Sequence, residues 1–272
     1  MTLILVTKHT LLEQFRMDPD SFGDIGSANM DRIQAAHDKH HDTLTQVYAE
    51  LARMRVRPWV VEGAGTNFSP APNDTVVCVG GDGTVLSASH CCGASNRLMM
   101  INSDPERSVG RFSSATVDDL WLALEPGGPT TLVPRMTVEV NGRVVNNRVL
   151  NEVLFSHACP AAMTRILIGV RRISCSGIWI GTSAGSTGAI KSSGGFAMPI
   201  TDDKLQMVVR EPFGEEPYHP LLGPEFSVES RIVEGTLYLD GPFLRVPVGF
   251  GSTMRFTQSS EPLMMLGPKL AV

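Results

Sequence analysis

The sequence lacks the features of a membrane protein, a nucleic-acid binder or a disulfide-rich domain. No apolar run approaches the roughly 20 residues needed to cross a bilayer. The formal net charge is −5, whereas nucleic-acid-binding proteins usually carry a basic face. The five cysteines are odd in number and form no CxxC pair, so we expect reduced thiols and a cytoplasmic protein. The opening MTLILVTKHT has no basic leader, and we interpret it as a first strand.

Two common phosphate-binding motifs are also missing. No GxGxxG follows the first apolar run, which excludes the usual dinucleotide fingerprint. The segment Gly181–Ser192 comes close to a Walker A loop, but Ile190 rather than glycine precedes Lys191. A phosphate site in this chain must therefore be built from a different loop.

Three histidines have the spacing of metal ligands on a helix. They are His37, His40 and His41, and they lie in a polar, charged stretch without a partner motif. This setting favours a solvated helix face over a metal site, so we predict no bound metal here.

The first hundred residues alternate between strand-like and helix-like segments. A helix is predicted from about Asp31 to Arg53 by apolar residues at i, i+3, i+4 and i+7, and Arg57-Pro58 ends it. Runs of apolar residues, many of them β-branched, predict strands at Leu3–Val6, Trp59–Val61, Thr75–Val79 and Leu98–Ile101. This order predicts a parallel sheet flanked by helices.

In the second half of the chain, apolar residues no longer recur with helical spacing. Asn141-Gly142 and Asp240-Gly241 each separate two strand-like runs, which is a strong type I′ hairpin pattern. Further strand-like runs lie at Arg165–Val170 and Gly177–Ile180. The proline-rich and acidic segment Glu211–Glu225 is predicted to be a surface loop.

These patterns predict two domains joined near Pro126–Pro129. The first is an α/β domain over residues 1–125, and the second is a mostly β domain over residues 130–249.

The sharpest local feature is the sequence GGDGT at Gly80–Thr84, between a predicted strand and a helix-like stretch. Glycines let a ligand approach the backbone closely, and a helix N-terminus attracts phosphate. A carboxylate there would repel phosphate unless it bound a metal, accepted a hydroxyl hydrogen bond or acted as a base. Asp82 is therefore the candidate catalytic residue, and the alternative is a plain Gly-Asp-Gly tight turn.

The GGDGT motif resembles one shared by NAD kinases, diacylglycerol and sphingosine kinases and, in looser form, phosphofructokinases. Three further matches narrow the choice. Asn151-Glu152 resembles the NE motif of NAD kinases. Gly185–Thr187, followed by Ser192–Gly195, is similar to their TGSTAYSLSAGG segment. Asn102–Gly110 resembles the NxDPxRSxG of the mitochondrial and plant NADH-kinase branch.

The ordered set of matches runs from about Leu3 to Leu266, and Val209–Pro212 also resembles the NADH-kinase branch. On these motifs the chain is identified as a member of the NAD kinase family. The resemblance implies a two-domain fold in which the C-terminal tail, from about residue 250 to 272, returns to the first domain. It also implies that the ligand lies in a cleft between the domains.

The resemblance implies a phosphoryl transfer from ATP, with Mg²⁺, to the adenosine 2′-hydroxyl of NAD or NADH. Asp82 would accept the proton of that hydroxyl, and Glu152 would be a natural partner for a ribose diol. The residues implied to bind phosphate or nucleotide are Gly81, Gly83, Thr84, Asn151, Glu152, Ser176, Ser186, Thr187 and Ser192. Arg107 or Arg111 is a further candidate for a phosphate contact. The implied partners are small-molecule nucleotides, without nucleic acid or membrane, in a homo-oligomer such as a dimer or tetramer.

The chain departs from the family pattern at two positions. Most NAD kinases have an aspartate where this chain has Ser176, and an aromatic residue where it has Ala189. Both changes bear on nucleotide affinity and on the preference between NAD and NADH. Two alternatives stay open at this point: a GGDGT-type kinase that acts on a diacylglycerol or sphingoid lipid, and a non-catalytic NADP(H)-binding relative.

Overall fold

The chain divides into two compact units. The structure, a computed structural model, describes residues 2–63, 65–108, 110–214, 218–242 and 244–268. The first unit comprises the residues up to Thr131 and the segment that begins at Met264, and the second comprises Leu132–Leu263. None of the helices in these ranges combines the length and the apolar character of a membrane span. The residues of the sequence predictions that lie outside the described ranges are Met1, Ala64, Val109, residues 215–217, Phe243 and residues 269–272.

The first unit contains a mostly parallel sheet with helices beside it. The strands of this sheet are β1 (Leu3–Thr7), β2 (Trp59–Glu62), β3 (Thr75–Gly80), β4 (Arg97–Asn102), β5 (Thr130–Val133) and β18 (Leu263–Leu266). The helices are α1 (Leu11–Met17), α2 (Ser27–Arg53) and α3 (Asp82–Ser89). The strand order is β2-β1-β3-β4-β18-β5, and the pairs from β2 to β18 are parallel. The predicted α/β sheet is confirmed.

The central strands of this sheet are buried over almost their whole length, as expected for a parallel sheet covered on both faces. Val47 and Leu51 of α2 pack into the same core cluster as Leu5 and Val77. Since α2 is polar on its other side, its amphipathic pattern made it predictable, although it begins at Ser27 rather than near Asp31.

The second unit consists of two antiparallel sheets of six strands. The strands are β6 (Met136–Val140), β7 (Arg143–Val149), β8 (Glu152–His157), β9 (Thr164–Ile168), β10 (Arg171–Cys175), β11 (Gly177–Gly181), β12 (Leu205–Arg210), β13 (Leu221–Gly223), β14 (Glu225–Ser230), β15 (Gly235–Leu239), β16 (Leu244–Val248) and β17 (Thr253–Gln258). A short helix, α4 (Ala189–Ser192), precedes β12. The strand orders are β10-β9-β14-β17-β6-β7 and β13-β12-β11-β8-β15-β16.

The two antiparallel sheets share one apolar core. Val138 and Phe256 come from one sheet, and Phe155, Ile178 and Leu237 come from the other, and all are fully buried. Alternate residues of each strand supply this core, which is the pattern of a β-sandwich. The mostly β character predicted for this part of the chain is confirmed.

Both predicted hairpins form, but only Asn141-Gly142 is a two-residue turn of the type I′ kind, since Val140 pairs with Arg143 whereas Leu239 pairs with Leu244 across a four-residue loop. Asn141 has φ of 52° and Asp240 has φ of 50°. The loop predicted over Glu211–Glu225 is wrong for Leu221–Gly223, which pairs with Leu205–Met207 as β13. The local sequence gives no strand pattern here, since the pairing depends on a neighbouring strand.

The last strand, β18, lies between β4 and β5 and is held there by a buried serine. The Ser114 hydroxyl donates to the carbonyl of Leu266 at 2.7 Å and accepts the N–H of Met100 at 3.0 Å. Directly after the strand, Gly267 has φ of 140°, and a Cβ there would lie 2.1 Å from the Ser114 carbonyl oxygen. A glycine is therefore required where the chain leaves the sheet.

We expect Ser114→Ala to lower the free energy of unfolding by about 1–3 kcal/mol, because it leaves a buried carbonyl and a buried N–H without a partner. Urea denaturation followed by tryptophan fluorescence measures this. Ser113→Ala, at the half-buried neighbouring position, is the matched control. Equal stability of the two variants would contradict the role given to Ser114.

Candidate active site

The GGDGT sequence forms the turn between β3 and α3. Gly81 caps α3, and the Thr84 N–H donates to the Gly81 carbonyl at 2.9 Å. A Cβ on Gly80 would lie 2.4 Å from the Thr84 hydroxyl oxygen, so the tight turn needs glycine there. Gly83 is exposed, and a Cβ built on it would meet no atom within 4 Å. The turn therefore presents open backbone at the carboxyl end of a parallel strand, where α/β sheets commonly bind ligands.

The carboxylate of Asp82, the first residue of α3, is held by two backbone amides. One oxygen accepts the N–H of Arg111 and the other accepts the N–H of Phe112, both at 3.0 Å. Each carboxylate oxygen can accept more than one hydrogen bond, so both keep acceptor capacity. The side chain is half-exposed. Asp82 is thus oriented by the protein and still available to a ligand hydroxyl.

The segment that follows β4 supplies those amides. The Ser103 N–H donates to the Gly80 carbonyl at 3.0 Å, which fastens the segment to the GGDGT turn. Gly110 has φ of 61°, and a Cβ there would lie 2.5 Å from the Asn102 side-chain nitrogen. Arg107 donates to Asp104 at 3.3 Å. Its contact with phosphate stays a prediction, as does that of Arg111.

In the second unit, the Asn151-Glu152 turn is organised by Asp240. One oxygen of the Asp240 carboxylate accepts the N–H groups of Asn151 at 2.7 Å and Glu152 at 3.1 Å, and the other accepts that of Leu150 at 2.7 Å. The Asp240 N–H in turn donates to the Glu152 carbonyl at 3.0 Å. Sequence reasoning treated Asp240 only as a hairpin residue. Its three amide partners lie about ninety residues away, so the sequence carried no local pattern for this role.

The GST segment packs directly against this turn. The Thr182 N–H donates to the Asn151 carbonyl at 2.8 Å, and the Thr182 hydroxyl donates to the Leu150 carbonyl at 2.5 Å. A Cβ on Gly185 would lie 2.4 Å from the Asn151 carbonyl oxygen and 2.7 Å from Glu152 Oε2. The two motifs identified in the sequence therefore touch, and glycine at position 185 makes the contact sterically possible.

The hydroxyl groups of the GST segment differ in their surroundings. Ser186 is fully buried, and its hydroxyl donates to the Ser183 carbonyl at 2.7 Å and accepts the Met198 N–H at 2.8 Å. A ligand contact through this hydroxyl would require it to leave these partners, so its observed part is to shape the turn. Thr187 and Ser192 are exposed, and Ser192 donates to the Gly188 carbonyl at 3.2 Å.

Ser176 stands beside a carboxylate. Its hydroxyl donates to the side chain of Glu211, which lies just after β12 with φ of 46°. A carboxylate is therefore present beside position 176, where the family resemblance implies an aspartate, although Glu211 follows a different strand. Sequence reasoning did not identify Glu211, because it noted only the missing acid at position 176.

Two buried oxygen atoms in the Asn151-Glu152 turn have no hydrogen-bond partner within the described part of the chain. They are Asn151 Oδ1 and Glu152 Oε2. Burial of Glu152, together with the nearby charge of Asp240, raises the pKa of its carboxyl group to about 8. Buried acceptors without partners are uncommon, and ribose hydroxyls or an adenine amino group would supply the missing donors.

Glu152 also borders a pocket of about 270 Å³ on the second unit. The other residues that line it are Leu154, Trp179, Tyr238, Gly241 and Pro242. Leu154 pairs with Trp179 on one side and with Tyr238 on the other, so the two aromatic side chains flank it on one sheet face. A pocket with aromatic walls and a carboxyl group at its rim suits a flat heteroaromatic ring. The two aromatic residues were not identified from the sequence, since their place on one face follows from strand register.

The predicted site residues thus fall into two groups. The first unit brings together Gly81, Asp82, Gly83 and Thr84, and the second unit brings together Asn151, Glu152, Ser186 and Gly185. Ser176 and Ser192 lie in the second unit and contact Glu211 and Gly188, and Thr187 is exposed in the same unit.

Comparison with known proteins identifies relatives over most of the chain. No protein-family model matches. A probable NADH kinase from Oryza sativa subsp. japonica is 30% identical over 267 residues, covering 85% of this chain and 82% of that protein. An NADH kinase from Arabidopsis thaliana is 30% identical over 235 residues, covering 70% of this chain and 71% of that protein.

Solved structures share the fold. An NAD kinase from Archaeoglobus fulgidus in complex with ATP has a TM-score of 0.66 at 20% identity, covering 99% of this chain and 94% of that one. A yeast NADH kinase complexed with NADH has a TM-score of 0.67 at 13% identity, covering 99% of this chain and 84% of that one.

The raised pKa of Glu152 predicts a specific pH dependence of stability. The folded state binds the Glu152 proton more tightly than the unfolded state does. The free energy of unfolding of the wild-type protein therefore falls as the pH rises from the pKa of this carboxyl group in the unfolded chain toward about 8, its pKa in the folded protein. Glu152→Gln cannot ionise and escapes this loss. We expect the variant to gain at least about 1.4 kcal/mol relative to wild type between about pH 5 and pH 9, the equivalent of one pKa unit.

Urea unfolding at the two pH values measures the difference. Glu234→Gln, an exposed position in the same unit, is the matched control. A stability difference between wild type and Glu152→Gln that does not change with pH would contradict the raised pKa.

Proposed function

This chain belongs to the NAD kinase family, and we propose that it transfers the γ-phosphoryl group of ATP to the adenosine 2′-hydroxyl of NAD or NADH. The 30% identity to the rice relative over 85% of the chain supports the family. The observation that carries the proposal is the Asp82 carboxylate, oriented by two backbone amides beside an open glycine turn. Phosphoryl transfer to a hydroxyl needs an oriented group that accepts the hydroxyl proton and nearby N–H groups that bind the phosphates.

Asp82 is the proposed general base. The 2′-hydroxyl donates a hydrogen bond to the carboxylate, and its proton passes to Asp82 as the oxygen attacks the γ-phosphorus in line. The bond between that phosphorus and the bridging oxygen breaks, and ADP leaves. In such transfers the protein takes little part in the covalent chemistry. The main contribution of the protein is therefore to orient Asp82 through the amides of Arg111 and Phe112.

The glycine turn is the proposed phosphate site. Gly81 and Gly83 offer backbone N–H groups at the start of α3, where the helix dipole also favours negative charge. The Thr84 N–H already donates to the Gly81 carbonyl, so Thr84 would contribute its hydroxyl. The Mg²⁺ ion is part of the donor complex, since it arrives with ATP and neutralises charge on the phosphates.

The second unit supplies the proposed nucleoside contacts. Asn151 and Glu152 accept hydrogen bonds from ribose hydroxyls or the adenine amino group, which completes two buried oxygens. The pocket with Trp179 and Tyr238 holds a flat ring by stacking. Ser186 keeps the turn in shape, while the exposed Thr187 and Ser192 lie along the nucleotide.

Glu211 is the proposed substitute for the acid that is missing at Ser176. Its carboxylate accepts a hydrogen bond from the Ser176 hydroxyl and, in this proposal, places a negative charge near the nicotinamide half of the substrate. The nicotinamide ring is cationic in NAD and neutral in NADH, so this charge favours NAD by attraction. Removal of the charge would shift the preference toward NADH.

The protein is proposed to work in the cytoplasm as a homo-oligomer, a dimer or a tetramer, with nucleotides as its only partners. Reduced thiols at the buried Cys78 and Cys175 suit a reducing compartment. The oligomer rests on the family alone.

The first test is product formation by the purified protein with ATP and Mg²⁺, with NAD and NADH offered in parallel. We expect NADP or NADPH, detected by a coupled NADP-specific dehydrogenase or by chromatography. No product from either acceptor, with the protein folded and polyphosphate also tried as donor, would overturn the proposal. Phosphorylation of a sphingoid base or diacylglycerol instead would indicate a lipid kinase.

The second test concerns the base. Asp82→Asn should lower kcat by about 10²–10⁴-fold, the usual range for loss of a general base, with a much smaller change in KM. Asp31→Asn, an exposed position on α2, is the control for the charge change. Turnover near that of wild type in Asp82→Asn would exclude this residue as the base, and a thermal unfolding curve confirms that the variant is folded.

A further inference from the structure

Helix α2 carries two histidines on successive turns that meet a carboxylate from α1. His37 and His41 are separated by one turn, and their ring centroids lie 4.2 Å apart. Glu13 approaches from α1, and its Oε1 lies 2.9 Å from Nε2 of His41. One potential ligand atom from each of the three side chains lies within 4.8 Å of the others. We propose that Glu13, His37 and His41 form a binding site for a transition-metal ion, with Zn²⁺ as the ion best suited to it.

Thr10 makes hydrogen bonds to two of these three residues, as supporting residues do around metal ligands. The Thr10 hydroxyl lies 2.8 Å from Nδ1 of His37, and the Thr10 N–H donates to Glu13 Oε2 at 2.7 Å. When His37 carries its proton on Nδ1, it donates to Thr10 and leaves the Nε2 lone pair for a metal. Hydrogen bonds of this kind fix the tautomer and the ring orientation of metal-binding histidines. Thr10 thus supports two of the three ligands at once.

The donor set selects the class of ion. Two imidazole nitrogens and one carboxylate, with water in the fourth position, form a tetrahedral set that zinc accepts. Mg²⁺ prefers oxygen ligands, so the site is distinct from the Mg²⁺ that accompanies ATP. Tetrahedral zinc needs ligand atoms about 3.4 Å apart, given metal–ligand distances of about 2.0–2.1 Å. The side chains of His41 and Glu13 are 44% and 28% exposed, so small rotations bring the ligands to that spacing.

A bound ion would join α1 to α2 beside the GGDGT turn. His40, next to His41 on α2, is buried, and its Nδ1 lies 2.9 Å from the Ser103 hydroxyl. Ser103 in turn donates its N–H to the Gly80 carbonyl at 3.0 Å. The expectation of a solvated helix face is therefore wrong for His40. An ion held by the outer face of α2 stabilises the helix that packs against the turn, which is a structural role separate from the proposed phosphoryl transfer.

The test is Zn²⁺ binding by the full-length protein, measured by calorimetry after treatment with a chelator and in a buffer that contains Mg²⁺. Cys159→Ser serves as the background, because Cys159 is an exposed thiol that can bind zinc by itself. We expect one Zn²⁺ per chain. Glu13→Gln, His37→Gln and His41→Gln should each weaken binding by at least about 10–100-fold, the loss usual even for residues that only support a ligand.

His219→Gln, an exposed histidine of the second unit, is the matched control and should bind zinc as the background protein does. Co²⁺ in place of Zn²⁺ should give the visible absorption of a tetrahedral site, and Zn²⁺ should raise Tm in the background protein but not in His41→Gln. Absence of zinc binding in the background protein, or unchanged binding in all three variants, would overturn the proposal and leave Glu13 and His41 as a simple ion pair. Neither result depends on kinase activity.

Discussion

The Asn151-Glu152 turn of the second unit depends on one carboxylate that faces the backbone. Asp240 accepts N–H groups from three successive residues, Leu150 to Glu152, and so fixes the direction in which the Glu152 side chain leaves β8. The same arrangement places two acidic side chains near each other, and burial with the Asp240 charge raises the pKa of Glu152. Because Asp240 fixes this turn, Gly185 can pack closely against the Asn151 carbonyl and the Glu152 carboxyl group.

The first unit uses the same interaction for a different purpose. Asp82 also accepts backbone N–H groups through both oxygens, but it lies half-exposed at the start of a helix instead of inside a hairpin. In one unit an amide-bound carboxylate organises a turn, and in the other it is the proposed reactive group. Asp82 accepts two backbone N–H groups and Asp240 accepts three, so more acceptor capacity remains at Asp82.

Local patterns predicted the features that depend on neighbouring residues in the chain. Asn141-Gly142 and Asp240-Gly241 indicated their hairpins, and the apolar runs around β1, β3 and β4 indicated the parallel sheet. The roles of Asp240, Trp179 and Tyr238 were not predictable, because each depends on pairing between distant strands. The ligand contact of Ser186 stays a prediction, and its motif gives no sign that the hydroxyl bonds to Ser183 and Met198. The proximity of Glu13 to His37 and His41 was also not predictable, because Glu13 lies on a separate helix, α1.

The position of β18 also bears on how the protein is made. This strand lies inside the first sheet, between β4 and β5, yet it follows all the strands of the second unit in the sequence. During synthesis, β4 therefore has an unpaired edge while the whole second unit emerges, and such edges are prone to mispairing. In the folded protein the Ser114 hydroxyl donates to the Leu266 carbonyl of β18, so this contact forms only once that strand has arrived. A nascent chain released before Leu263 would carry an incomplete first unit.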